Sequence, residues 1–95
     1  MGRFTRTRRA RLDLMEIWEY VAADDPEAAD RLLDRIDATC ARIASFPSLG
    51  RSRDDLRPGL RYVPLGHYLI LYRASESGVV IVRVLHARRD LAGLV

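Results

Sequence analysis

The sequence predicts one α+β domain, in which an antiparallel helical hairpin packs on a small antiparallel sheet in the order β-α-α-β-β-β. Two amphipathic helical segments separated by a short acidic link indicate the hairpin. Three β-prone segments with short turns between them, all in the last 40 positions, indicate the sheet. With 95 residues, of which 48% are hydrophobic, the chain suits one hydrophobic core. We therefore expect residues 1–95 to form a single domain.

The first segment is predicted to be a brief strand over residues 3–6 followed by a helix. Thr7 is a suitable N-cap, and apolar residues at helical spacing continue to about Ala22. The buried face of this helix is expected to hold Leu14, Ile17, Trp18 and Val21. Its first turn holds Arg8, Arg9 and Arg11. The helix dipole disfavours positive charge there, which suggests that these arginines serve another purpose.

The second helix is predicted to run from Pro26 to about Phe46. Asp25 supplies the N-cap, and proline is favoured at the first helical position because it has no N–H to lose. Cys40 lies within the apolar stripe and is expected to be a small core residue. As the lone cysteine it cannot form an internal disulfide, which fits a reducing cytoplasm.

The last part of the chain is predicted to be an irregular loop over residues 50–59 and then strands over 60–65, 67–73 and 79–85. Pro64 weakens the first of these strands and indicates an edge or a bulge. Strict alternation in the last strand predicts a face of Val80, Val82 and Val84 under the helices, with Arg83 on the opposite, partly open face.

Charge is distributed in three blocks. All 16 basic residues are arginine, and the net charge is +5 over residues 1–11, −6 over 12–55 and +4 over 56–95. If the two basic ends meet in the fold, they form one face that favours an acidic partner or a nucleic acid.

Several classes of protein and site are not expected. No apolar run approaches the roughly 20 residues of a membrane span, and no secretory signal is visible at the N-terminus. His67 is expected in a solvent-facing turn, and neither histidine has metal-ligand spacing to other ligating residues. The glycines are isolated in turns, so no phosphate-binding loop is present. We expect no metal, no cofactor and a cytoplasmic location.

Six short motifs follow one another along the chain. They are Asp13-Leu14 with Ile17-Trp18 and Tyr20, Asp25-Pro26-Glu27-Ala28-Ala29, Phe46-Pro47 with Gly50-Arg51, Gly59-Leu60-Arg61, Tyr68-Leu69-Ile70 with Tyr72, and Val82-Arg83-Val84-Leu85-His86 followed by Arg88-Arg89-Asp90. In this order they resemble the RelE/ParE superfamily of bacterial toxins over nearly the whole chain. The long hairpin and the ending Leu85 to Asp90 are similar to the ParE branch.

The ParE resemblance implies the toxin of a type II toxin–antitoxin pair that inhibits DNA gyrase and is neutralised by a ParD-like antitoxin. Such a toxin acts by binding rather than by catalysis, and it meets nucleic acid only indirectly. Contacts with target or antitoxin are then expected at Arg61, Arg83, Arg88, Arg89 and Tyr20. An antitoxin segment that folds on binding would cover a broad surface, and an acidic stretch in it would complement the arginine-rich ends.

Two alternatives remain open. A RelE-like endoribonuclease that cuts ribosome-bound mRNA would use Arg61, Arg83, His86 and Arg88 around the phosphate. Members of that branch usually add a Glu, Lys or Tyr to the site, whereas this chain has no lysine and no tyrosine after Tyr72. If the protein is not a nuclease, His86 is expected to be a packed histidine whose ring forms a hydrogen bond with a backbone carbonyl. The second alternative is an interaction module that binds nucleic acid without sequence preference, although the aromatic and basic alternation of single-strand binders is missing.

Overall fold

A computed structural model describes residues 3–89 and 91–94. Its elements are β1 (Arg3–Arg6), α1 (Arg8–Ala22), α2 (Pro26–Ser45), β2 (Arg51–Ser52), β3 (Arg61–Leu65), β4 (Tyr68–Ser75), β5 (Gly78–His86) and a 3₁₀ turn (Leu91–Gly93). The α+β architecture and the order of helices and main strands agree with the sequence prediction.

The sheet has five strands in the order β1-β5-β4-β3-β2. It is mixed, and the prediction of a purely antiparallel sheet was wrong in this detail because β1 pairs with β5 in parallel. The connection from β1 to β5 passes through both helices and the other strands, so no tight turn forces the two strands to run in opposite directions. Arg51 and Ser52 of the expected loop pair with Tyr62 and Arg61 and add a short edge strand.

Both helices begin where the sequence predicts, because a side-chain cap starts each one. The Thr7 hydroxyl accepts a hydrogen bond from the Ala10 amide at 3.0 Å and donates one to the Val82 carbonyl at 2.7 Å. The Asp25 carboxylate accepts from the amides of Glu27 and Ala28. The Thr7 cap therefore starts α1 and also ties it to β5.

A bulge at Val82 changes which residues of β5 face the helices. Leu71 pairs with Arg83 and Tyr72 pairs with Ile81, so Val82 is left without a partner in β4. The core under the helices accordingly contains Val79, Ile81 and Val84, with Ile36, Cys40 and Ile43 of α2 above them. The predicted valine face was thus wrong at Val80 and Val82, because a bulge breaks the two-residue period on which that prediction rested.

The face of the sheet away from the helices carries a second apolar cluster. Leu60, Leu71, Leu85 and Leu91 are its buried members, and Leu94 packs against them. The loop before β3 and the C-terminal 3₁₀ turn therefore cover part of the face that was predicted to be partly open.

Individual side chains confirm or correct the predicted core. Cys40 is fully buried, as predicted. Trp18 was wrongly placed in the core: it is 38% exposed, and its indole Nε1 donates to Asp30 at 2.9 Å between the two helices. Tyr20 is 81% exposed.

Neither helix, over the described ranges, is long and apolar enough to cross a membrane.

Candidate functional site

The centre of the molecule holds a buried ion pair between α1 and β5. Arg83 donates from Nε to Oδ2 of Asp13 at 2.8 Å and from Nη2 to Oδ1 at 2.9 Å. Asp13 Oδ2 also accepts the Val84 amide at 3.1 Å, and Arg83 Nη1 donates to the Leu94 carbonyl at 2.9 Å. The hydrogen-bonded Asp13 carboxylate raises the pKa of the Arg83 guanidinium above its ordinary value.

This geometry corrects the predicted position of Arg83. Its side chain is buried in the ion pair and does not project from an open face. Sequence reasoning missed Asp13 as its partner, although a signal was present. Asp13 stands beside Leu14 on the otherwise apolar buried face of α1, and Arg83 is the one charged residue within the apolar run of β5. A buried charge in each of two packed elements indicates a pair.

A groove lies between α1 and the end of the β4–β5 pair, and we call it the α1 groove. Its volume is about 590 Å³. The lining residues are Asp13, Glu16, Ile17, Tyr20, His67, Tyr68, Val84, Leu85, His86 and Arg89. Three residues from the sequence predictions, Tyr20, Arg89 and His86, therefore line one depression, with aliphatic side chains between them.

His86 is half-buried at the edge of the α1 groove and is held by its neighbours. Its ring lies parallel to that of His67 at 6.0 Å and meets the Tyr68 ring edge-on at 5.6 Å. Nδ1 accepts the Arg88 amide at 3.2 Å, rather than bonding the backbone carbonyl that was predicted. This bond requires an unprotonated Nδ1, so the neutral ring carries its proton on Nε2. His67 is exposed in the turn, as predicted.

Of the other predicted arginines, only Arg89 lies at the α1 groove. Arg61 is half-buried and donates from Nη1 to the Gly50 carbonyl at 2.7 Å, which holds the turn after α2. Arg88 and Arg89 are exposed in the turn after β5, and only Arg89 lines the groove. Asp90, which follows these arginines in the last motif, lies outside the described residues.

The described part of the chain contains no group of three ligating side chains that could hold a metal ion. What the α1 groove offers is an aromatic ring, a guanidinium and an imidazole around an aliphatic floor. These groups suit contacts with another macromolecule.

Comparison with known proteins identifies the family. The family model described as "ParE toxin of type II toxin-antitoxin system, parDE" matches residues 5–91. The chain belongs to the ParE toxin family. It is therefore the toxin component of a type II toxin–antitoxin system, which confirms the prediction from the motifs.

Individual relatives agree with this membership of the ParE family. The chain is 41% identical over 93 residues to Toxin ParE3 of Caulobacter vibrioides, covering 97% of this chain and 93% of the relative. It is 32% identical to Toxin ParE1 of Mycobacterium tuberculosis, covering 95% and 94%. A solved structure titled "Chromosomal ParDE TA system from P. aeruginosa" superposes with a TM-score of 0.75 at 25% identity, covering 90% of this chain and 96% of that one.

Proposed function

We propose that this ParE-family toxin stops growth by binding DNA gyrase in the cytoplasm, without catalysing a reaction, and that a ParD-like antitoxin neutralises it. Family membership supports the general role of a toxin. The choice between binding and catalysis is argued from the side chains themselves.

The observation that carries the proposal is the structural use of Arg83 and Arg61. A ribonuclease of the alternative kind needs free cations aimed at the phosphate to stabilise its transition state. The Arg83 guanidinium is instead buried against Asp13, and Arg61 holds the Gly50 carbonyl. Two of the four predicted nuclease residues therefore already have structural partners, which supports action by binding.

The α1 groove has the composition of a protein-binding surface. Ile17, Val84 and Leu85 line its floor, while Tyr20 and Arg89 stand at its rim. Tyrosine and arginine dominate the energetics of protein interfaces because each combines a large apolar area with hydrogen-bond donors. We propose Tyr20 and Arg89 as contacts of the target.

One feature favours the nuclease alternative as a second candidate. His86 shares the α1 groove with Glu16, so an imidazole and a carboxylate line the same depression beside Arg89. A base and an acid of this kind are the minimum for cleavage of RNA by its own 2′-hydroxyl.

The deciding experiment tests the purified toxin against gyrase supercoiling of plasmid DNA and, in parallel, against mRNA on translating ribosomes. We expect loss of supercoiling with intact mRNA. His86→Ala, checked for folding by circular dichroism, should retain most of the gyrase inhibition, because it removes one side chain at the edge of the groove and no catalytic group. Cleaved mRNA with unaffected gyrase, together with loss of cleavage in His86→Ala, would establish the nuclease instead.

A further inference from the structure

The two arginine-rich ends of the chain meet at a second groove, which we call the arginine groove. It has a volume of about 530 Å³ and lies on the face of the sheet away from the helices. Arg9 reaches it from the first turn of α1, Arg57 from the loop before β3 and Arg73 from β4. The pairing of β1 with β5 brings the N-terminal block beside the C-terminal one.

The three arginines of this groove are charged groups without a counter-charge in the described structure. Arg9, Arg57 and Arg73 are exposed, and no side-chain hydrogen bond or ion pair holds any of them within residues 3–89 and 91–94. The described lining contains no carboxylate, and its fourth arginine, Arg83, is already paired with Asp13. The groove therefore has an uncompensated positive potential that attracts anionic groups.

The position of Arg9 adds to this argument. The first turn of α1 contains no acidic residue, although the helix dipole favours acids there and disfavours arginine. Arg9 thus opposes local helix stability. A contact with an anionic partner supplies a reason for its presence at this position.

The floor of the arginine groove indicates which kind of anion fits. It is formed by Leu60, Val82 and Leu94, which belong to the second apolar cluster. A phosphate backbone gains nothing from an aliphatic floor. A peptide that alternates carboxylate and apolar side chains satisfies the arginines and buries an apolar group at the same time.

We propose that the arginine groove docks an acidic segment of the antitoxin, with carboxylates on Arg9, Arg57 and Arg73 and an apolar side chain on the floor formed by Leu60, Val82 and Leu94. This inference rests on the proposed neutralisation by an antitoxin and adds the place and chemistry of the contact.

The test measures binding of the antitoxin, produced from the gene beside that of the toxin, to the full toxin chain by calorimetry. The triple variant Arg9→Gln, Arg57→Gln, Arg73→Gln should bind about 10- to 100-fold more weakly. A control that removes three exposed arginines of α2, Arg31→Gln, Arg35→Gln, Arg42→Gln, should stay within about threefold. Raising the salt concentration should weaken wild-type binding more than binding by the triple variant.

A floor variant separates docking from long-range attraction. Val82→Thr preserves side-chain volume and charge and should weaken antitoxin binding by about threefold to tenfold, with circular dichroism confirming the fold. Equal losses of antitoxin affinity in the triple variant and in the α2 control would overturn the proposal. So would a 12-base-pair DNA duplex or a short RNA that binds the wild type as tightly as the antitoxin does and displaces it.

The outcomes also distinguish this inference from the proposed function. If the antitoxin binds the triple variant with wild-type affinity, the docking site is wrong while neutralisation by the antitoxin stands. If it does not bind the wild type at all, the proposed partner is wrong. Gyrase inhibition, measured without antitoxin, tests the target independently of both.

Discussion

Asp13 and Arg83 form a bidentate ion pair across 70 positions of sequence, with both side chains at most 7% exposed. The pair joins α1 to β5, and through the Leu94 carbonyl it also holds the C-terminal end of the described chain. One guanidinium therefore links the helical layer, the sheet and the cover of the second apolar cluster.

Removal of Asp13 should be costly because it leaves a buried cation without its partner. We expect Asp13→Ala to lower the free energy of unfolding by about 3–5 kcal/mol, measured by urea denaturation. The double variant Asp13→Leu, Arg83→Met removes both charges and should recover most of that loss. A single variant that loses less than about 1 kcal/mol would show that the pair does not contribute as its burial indicates.

The hydroxyl of Tyr72 should contribute more to the free energy of unfolding than an ordinary surface hydrogen bond does. It donates to the Pro47 carbonyl at 2.7 Å and accepts the Gly50 amide at 2.8 Å, and the residue is fully buried. Tyr72→Phe leaves both groups without this partner and should lower the free energy of unfolding by about 1–3 kcal/mol. Tyr68→Phe is the matched control, with an expected change within about 0.5 kcal/mol. Equal losses of stability in Tyr72→Phe and Tyr68→Phe would contradict the bridging role of the Tyr72 hydroxyl.

Alkaline pH should destabilise the protein partly through Cys40. Burial raises the pKa of its thiol from 9.0 to about 11. Because the folded state holds this proton more tightly than the unfolded state, the thiol's contribution to stability is complete below pH 9. It is lost progressively as pH rises from 9 to 11, by about 2 kcal/mol.

The measurement compares urea denaturation of the wild type and Cys40→Ala across that pH range. The tyrosines titrate in both proteins, so the difference between the two isolates the thiol. The amount by which the free energy of unfolding of the wild type exceeds that of Cys40→Ala should decrease steadily above pH 9. A difference that stays constant to pH 11 would mean that ionisation of Cys40 does not oppose folding.

Tyr20 should matter for binding and not for folding. Its side chain is 81% exposed at the rim of the α1 groove. Tyr20→Ala should change the free energy of unfolding by no more than about 0.5 kcal/mol and weaken gyrase inhibition about tenfold or more. Tyr20→Phe retains the ring and should keep most of the inhibition. Full inhibition by Tyr20→Ala would remove this residue from the proposed target surface.

The sequence was informative wherever the deciding interaction is local. Thr7 starts α1 and Asp25 starts α2, because each cap bonds amides two or three positions away. The motifs identified the ParE family, and the alternation of apolar residues located the main strands.

The tertiary structure decided everything that depends on distant pairing. The bulge at Val82 ended the simple alternation in β5, and the arrival of Asp13 from α1 gave Arg83 a buried partner in place of an exposed position. The meeting of the two basic blocks required β1 to lie beside β5. The sequence by itself determined the elements and the family, because caps and apolar periods act within a few residues. The charged surfaces were decided only by packing, because each arginine's role depends on which distant carboxylate or carbonyl the fold brings to it.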